Sequence, residues 1–444
     1  MDGLFKHTFL SLRFFAVLAA LILWFCVAFF IPVMFLPGIY LVIMFGAFVL
    51  VDFIWLFGRK VLIQGNRILP HMLSLSDENQ VQIMLRNLSS RFWHIRIVDE
   101  LPEQLQERNF NMELELHPYG NERLSYMIRP LSRGVYAFGR LNIFAMSRLK
   151  LVSRRVQLPV EEEVKVYPSI MQMKKFELYT ISKIARVHGI KKMRRIGLSY
   201  EFEQIKTYVR GDDVRQINWK STGRNQQLMI NQFEDEKSQP IYNIIDKSRI
   251  MLMPFNGLSL LDYAINSSLV ISNVALKKHD KAGLLTFSDK IGSAVKADRK
   301  HGQLQEILET LYNQKERDLE ANYELLYFAT RNLIKTRSLV FLYTNFESMY
   351  GLQRALPVLR NINRQHLLIV VFFENSELES ISRTRAGDLK GVYTQILAEQ
   401  AINDKLAMAQ ELNNLGIQTI LTRPEDLSLN TINKYLEIKS RGMI

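Results

Sequence analysis

The sequence predicts an apolar helical hairpin, then an antiparallel β-sandwich-like region, then an open, doubly wound α/β domain. Three observations predict it: two long uncharged runs near the N-terminus, period-two alternation punctuated by Gly and Pro between 61 and 166, and continuous β-rich apolar runs separated by helical segments after Ser238. With 444 residues, 48% apolar and 11% aromatic, the chain has ample material for two or three cored domains and is not disordered. The net charge of +13 favours an acidic partner, whether lipid, nucleic acid or protein. A single cysteine, Cys26, excludes an intramolecular disulfide framework.

The hairpin occupies 1–60. From Phe14 to Phe35 no residue is charged, and after Pro37 and Gly38 a second apolar run reaches from Ile39 to Phe57. Each has the ~20 residues of a spanning helix, and each is longer than the apolar core of a signal peptide. Lys6 and Arg13 flank the entry, and Arg59, Lys60 and Arg67 the exit, while the turn carries no cation. The positive-inside rule then predicts a multi-pass protein of the inner (cytoplasmic) membrane with both termini in the cytoplasm. Asp52 lies little more than a turn from the exit and is expected to snorkel to the interface.

In the β-rich region, 61–166, Val81, Ile83 and Leu85 alternate on one face, and Trp93, Ile95 and Ile97 oppose Phe92, His94, Arg96 and Val98. No acid pair, metal-ligand spacing or nucleophile with a base stands out, so a spacer or docking module is expected. The segment 167–237 begins with a basic helical connector holding Lys183, Arg186, Lys191, Lys192, Arg194 and Arg195. It reads as a solvated linker or an anionic-lipid contact. No aromatics interleave with these cations, so no specific nucleic acid is expected.

"YVRGDDVRQINWK" follows, at Tyr208 to Lys220. Asp212 reads as a helix N-cap after Gly211, with Asp213 in the first turn and Gly223 as the stop. Val214 and Ile217 would face inward, Trp219 would be an apolar anchor, and Arg210 and Arg215 would pair with nearby acids, making the stretch a structural joint. Its Arg-Gly-Asp tripeptide is incidental in a cytoplasmic chain.

From 238 to 444, "PIYNIID", "AGLLTF", "SLVFLYTNF", "HLLIVVFFEN" and "IQTILT" read as strands of a parallel sheet covered on both faces. Ligands of such sheets bind beyond the strands' carboxyl ends. Asp246-Lys247-Ser248-Arg249, Thr286-Phe287-Ser288-Asp289 and Thr344-Asn345-Phe346-Glu347 stand there, without a Gly-rich phosphate loop after the first strand.

The order of a two-helix hairpin, "RPLSRGVYAFGRL", "VEEEVKVYP", "YVRGDDVRQINWKSTGR", a strand ending in Asp-x-Ser and the ending "INKYLEIKSRGMI" resembles the bacterial family called domain of unknown function 58. The resemblance implies a last domain similar to the von Willebrand factor A fold and a MoxR-type AAA+ ATPase as protein partner. Relatives of that fold often hold a divalent cation with Asp-x-Ser-x-Ser plus a further Thr and Asp. Here Asp246 and Ser248 match, Ile250 replaces the second Ser and Asn345 stands where an Asp is expected, so the site is degenerate and no cofactor is expected; Mg²⁺ would sit there if any were bound. Lys247 and Arg249 would instead meet an acidic partner surface.

Two function classes follow. One is a membrane-anchored scaffold or adaptor, not an enzyme, working with that ATPase in the assembly or maturation of other proteins. The alternative is an enzyme with an unrecognised site at Asp246, Asp289 or Asp212.

Overall fold

In a computed structural model the described residues are 7–58, 61–107, 110–174, 201–210, 212, 214–234, 238–383 and 388–443, with backbone alone at 201–204 and 232–234. The chain divides into two compact units, Met1–Ser169 and Ile170–Ile444.

The first unit opens with the short strand β1 (Thr8–Leu10) and two apolar helices, α1 (Leu12–Phe30) and α2 (Phe35–Phe57). Both are long and apolar enough to cross a membrane, and little of either is buried. The β-rich part runs through β2 (Ile63–Ile68), β3 (Leu73–Ser74), β4 (Asn79–Asn87), β5 (Trp93–Asp99), β6 (Met112–Leu116), β7 (Asn121–Ile128), β8 (Gly134–Phe138), β9 (Leu141–Met146), β10 (Val152–Leu158) and β11 (Glu162–Tyr167). Among the described residues these form sheets ordered β1-β10-β9-β5-β6, β2-β4-β7 and β3-β11-β8. Every pairing is antiparallel except β3 with β11. The expected alternation is present: Val81, Ile83 and Leu85 on β4 and Trp93, Ile95 and Ile97 on β5 are buried.

Two polar arrangements organise this unit, and each revises a reading of the sequence. Asp52, expected at an interface, is buried, and its carboxylate accepts from the Ser147 hydroxyl and from the backbone N–H groups of Leu151 (3.1 Å) and Val152 (2.9 Å). The loop between β9 and β10 surrounds it, which replaces the water that snorkelling would have sought. Arg67, counted as a flanking charge, is buried in an ion pair with Asp99. It also donates to the carbonyls of Val160 (2.9 Å) and Gly139 (3.0 Å), while Tyr126 gives its hydroxyl proton to Asp99 at 2.6 Å. Burial first, and then Asp99, raise the Tyr126 pKa far above its ordinary value. The last carbonyls of α2 are met from the β-rich part: Arg91 donates to Trp55 O and stacks 4.7 Å over its ring, and Arg154 donates to Leu56 O and lies 4.9 Å over Phe57. Such capping suits a helix whose final turn has no cation of its own.

The second unit begins with a ribbon of β12 (Glu201–Thr207) and β13 (Met229–Glu234), between which lies the short helix α3 (Trp219–Asn225). Next come β14 (Pro240–Asp246), the small hairpin of β15 (Pro254–Phe255) and β16 (Leu258–Ser259), and α4 (Leu260–Lys277), which starts with a Ser259–Asp262 capping box. The remainder is β17 (Lys281–Phe287), β18 (Ile291–Asp298), α5 (Gln303–Tyr312), α6 (Tyr323–Leu333), β19 (Leu339–Tyr343), α7 (Met349–Gln365), β20 (Leu367–Phe373), α8 (Ser376–Arg383), α9 (Leu389–Asn414), β21 (Gln418–Thr422) and α10 (Leu427–Arg441).

The sheet order is β18-β17-β14-β19-β20-β21, parallel except for the edge strand β18. All the strands read from the sequence are present. The first, third and fourth are buried along nearly their whole length, as a sheet covered on both faces requires. At the amino end of this sheet Asp280 is buried and accepts from Tyr435 OH (2.6 Å), Lys439 Nζ (2.7 Å) and Gln239 N (3.1 Å), pinning α10 to the α4–β17 turn.

Candidate functional site

The carboxyl ends of β14 and β19 meet at Asp246. Its Oδ1 accepts from Ser248 N at 2.9 Å and its Oδ2 from Thr344 Oγ1 at 2.7 Å. With the Thr344 proton given to Asp246, the Tyr323 hydroxyl 3.0 Å away donates to Thr344. Burial raises the Asp246 pKa against the pull of Ser248 and Thr344; burial first, then Asp246, raises that of Tyr323. The Ser248 hydroxyl, buried beside this chain of hydrogen bonds, has no partner in it.

Next to it, Asn345 is held by a residue that the sequence did not single out. Lys405, halfway along α9, donates to Asn345 Oδ1 and to Phe346 O, each at 2.5 Å, and lies 5.8 Å over the Phe372 ring. Burial lowers the Lys405 pKa to about 8, with Glu347 opposing. A divalent cation needs hard oxygens carrying charge. Here Asp246 already accepts two bonds, Ile250 supplies no oxygen, and the Asn345 oxygen is taken by an ammonium. Of the positions that the motif would use, Asp246 alone carries a carboxylate.

Lys247 and Arg249 differ in exposure. Arg249 is exposed; Lys247 is half-buried, and burial first, then Arg317, lower its pKa against Asp289. Arg317 pairs with Asp289 at 3.0 Å, so the β17 end is internally neutralised. Arg249 is thus the better placed of the two to meet a partner.

The stretch around Asp212 folds differently from the reading above. Asp212 does not cap a helix: it accepts from Lys206 Nζ (2.8 Å) and from Val209 N (3.0 Å), closing a turn at the mouth of the β12–β13 ribbon. The Lys206 hydrogen bond first, then Val209 N–H, lowers its pKa. A 3₁₀ turn at Val214–Gln216 follows, and the α-helical segment starts only at Trp219, capped by Asn218, whose side chain accepts from Ser221 N at 3.0 Å. Gly223 lies inside α3, and the helix ends at Gln226 with φ +53°.

The ribbon-facing positions belong to Ile217, which bridges to the buried Ile230, and to Asn218 and Thr222, which bond Asn231 and Met229. Trp219, the expected anchor, is therefore turned out and 72% exposed, as Val214 is at 62%. Arg210 and Arg215 are exposed too. Gly211, Asp213, the connector cations from Lys183 to Arg195, and the side chains of Phe233 to Glu236 lie outside the described residues.

Comparison with solved structures finds a conserved hypothetical protein BatB from Bacteroides thetaiotaomicron at 15% identity, covering 45% of this chain and 99% of that one, with a TM-score of 0.29. A CARDB domain from Pyrococcus furiosus matches at 14% identity over 24% of this chain and 88% of its own, with a TM-score of 0.18. The ASH / PapD-like domain of human CEP192 matches at 14% over 24% and 84%, with a TM-score of 0.19. At these scores the likenesses carry no argument. No curated protein matches the chain. A family model described as "Protein of unknown function DUF58" matches residues 204–386, from the ribbon that carries Trp219 to just beyond α8. This central segment thus belongs to the DUF58 family, the one that the order of motifs resembles.

Proposed function

We propose that the chain is a membrane-anchored interaction scaffold whose α/β unit, von Willebrand factor A-like by resemblance, binds a protein partner without a metal ion. The observation that carries this reading is the exposed Trp219. A tryptophan with Val214 and Val209 turned to solvent, ringed by the exposed Arg210, Arg215, Lys220 and Arg224, has the make-up of an interface centre and suits an acidic partner surface. The first turns of α9 add a second apolar stripe, Leu389, Val392, Tyr393 and Ile396, with Leu389 87% and Tyr393 66% exposed. The apolar helices α1 and α2 support the anchor, placed in the inner membrane with both termini in the cytoplasm. The resemblance suggests a MoxR-type AAA+ ATPase as partner, in the assembly or maturation of other proteins.

Photo-crosslinking from position 219 of the intact protein in cells tests the reading. An adduct with such an ATPase, lost on Arg215→Glu, is the expected result. Absence of any protein adduct from 219 and from 393, together with substrate turnover that Asp246→Asn abolishes, would replace the scaffold by an enzyme.

A further inference from the structure

At the start of α1 the fold gathers positive charge. Ser11, the N-cap of α1, donates to Lys150 O, and its own N–H donates to Leu151 O at 3.0 Å, while Asp52 at the other end of the hairpin holds Leu151 and Val152. The β9–β10 loop, "SRLKL" from Ser147 to Leu151, is therefore fixed at the level where both apolar helices end. Along it, Arg148 and Leu149 are exposed and Lys150 is half-buried; Leu12 and Arg13, in the first turn of α1, are exposed beside them. Cation, apolar, cation is a pattern suited to a headgroup layer above acyl chains.

The charges here do not cancel. Among the described residues no acid forms an ion pair with Arg13, Arg148 or Lys150, and the first turn of α1 contains no Asp or Glu. Of the carboxylates nearby among the described residues, Asp52 is taken up by Ser147, Leu151 and Val152, and Glu115 contacts His94 at 3.1 Å. The Ser11–Lys150 bond sets the first turn of α1, with Arg13, against the Arg148–Lys150 loop at one spot; in keeping with that, burial first and then all three cations lower the His94 pKa against Glu115. That spot lies at the positive end of the α1 dipole, where an anion is stabilised and a cation is not. Arg148 lies 6.0 Å over the Phe92 ring, while Arg91 and Arg154 are engaged with the carbonyls and rings at the end of α2.

We propose that Arg13, Arg148 and Lys150, with Leu149 beneath them, form a binding surface for the phosphate groups of anionic phospholipids. This rests on the membrane-anchor reading above. The surface selects anionic over zwitterionic lipid at the mouth of the hairpin, and so fixes the depth of the β-rich part against the bilayer.

The test uses the full chain reconstituted in vesicles of phosphatidylcholine, alone or with phosphatidylglycerol, and reads quenching of tryptophan fluorescence by brominated phosphatidylglycerol against brominated phosphatidylcholine. The expected result is a preference for phosphatidylglycerol that falls roughly fivefold for each cation removed, so that Arg148→Gln/Lys150→Gln nearly abolishes it while Arg148→Lys/Lys150→Arg keeps it. Flotation of the chain with both kinds of vesicle, but equal quenching by the two lipids or a preference unchanged in the Gln variant, overturns the inference alone. A chain that fails to float with either kind removes the anchor reading and this inference with it.

Discussion

Asp52 of α2 accepts the hydroxyl proton of Ser147, 95 residues further along the chain, and so ties the apolar hairpin to the β9–β10 loop. Asp52→Ala would leave that hydroxyl and the N–H groups of Leu151 and Val152 without an acceptor, and a buried unmet donor costs about 1–3 kcal/mol. The expected outcome in detergent is a lower melting temperature and faster tryptic cleavage at Arg148 and Lys150. Asp52→Asn, which keeps one acceptor oxygen, should lie between the two. Equal cleavage rates in all three proteins would show that the contact does not hold the loop.

The buried Arg67–Asp99 pair should behave asymmetrically. Arg67→Met strands a buried carboxylate and should cost about 3–5 kcal/mol of stability. Replacing all three partners, in Arg67→Met/Asp99→Leu/Tyr126→Phe, removes the stranded charge and should recover part of that loss. Urea unfolding of the single and triple variants gives the comparison, and a triple variant less stable than Arg67→Met would contradict it.

At Trp219 binding and stability should separate. An exposed side chain away from caps and networks contributes within about 0.5 kcal/mol, so Trp219→Ala should melt with the wild type while losing its partner in a pulldown. A large drop in melting temperature would return Trp219 to the role of packing anchor.

Lys405 gives a pH dependence whose sign follows from its lowered pKa. The unfolded chain keeps this proton up to about 10.5, whereas the folded chain releases it near 8. Between those values the unfolded state binds more protons, so stability attributable to Lys405 rises with pH across that window and is lost as pH falls through 8. Unfolding midpoints measured from pH 7 to 10.5 should climb more steeply in the wild type than in Lys405→Met. Parallel curves would show that the ammonium is not desolvated.

Elements built from local pattern were legible in the sequence, and contacts across it were not. Leu339–Tyr343 and Leu367–Phe373 are continuous apolar runs, as burial on both faces of a sheet requires, and Ile241–Ile245 departs from this only at the buried Asn243. The edge strand β18 was overlooked because "IGSAVKAD" is mostly exposed, so its side chains carry little of the apolar signal. Trp219 was misjudged because a single aromatic residue has no period, and only Asn218 as cap decides which way α3 turns. Lys405 shows no local sign of its task, since the Asn345 oxygen that it meets is 60 residues away on another element. The same holds for Arg67, which stands among cations in the sequence and meets its acid, Asp99, 32 residues further on.

The clamp on Asp280 has a consequence for how the protein is made. Tyr435 lies 155 residues after the carboxylate that it satisfies, and Lys439 follows four residues later. During synthesis Asp280 is therefore made well before the two side chains that meet it. Through most of its synthesis the α/β unit is a set of long-range strand pairings waiting on its final helix, while the hairpin and the β-rich unit, complete by residue 169, have all their partners to hand. Closure of the second unit therefore belongs late in its folding, when α10 has joined the sheet.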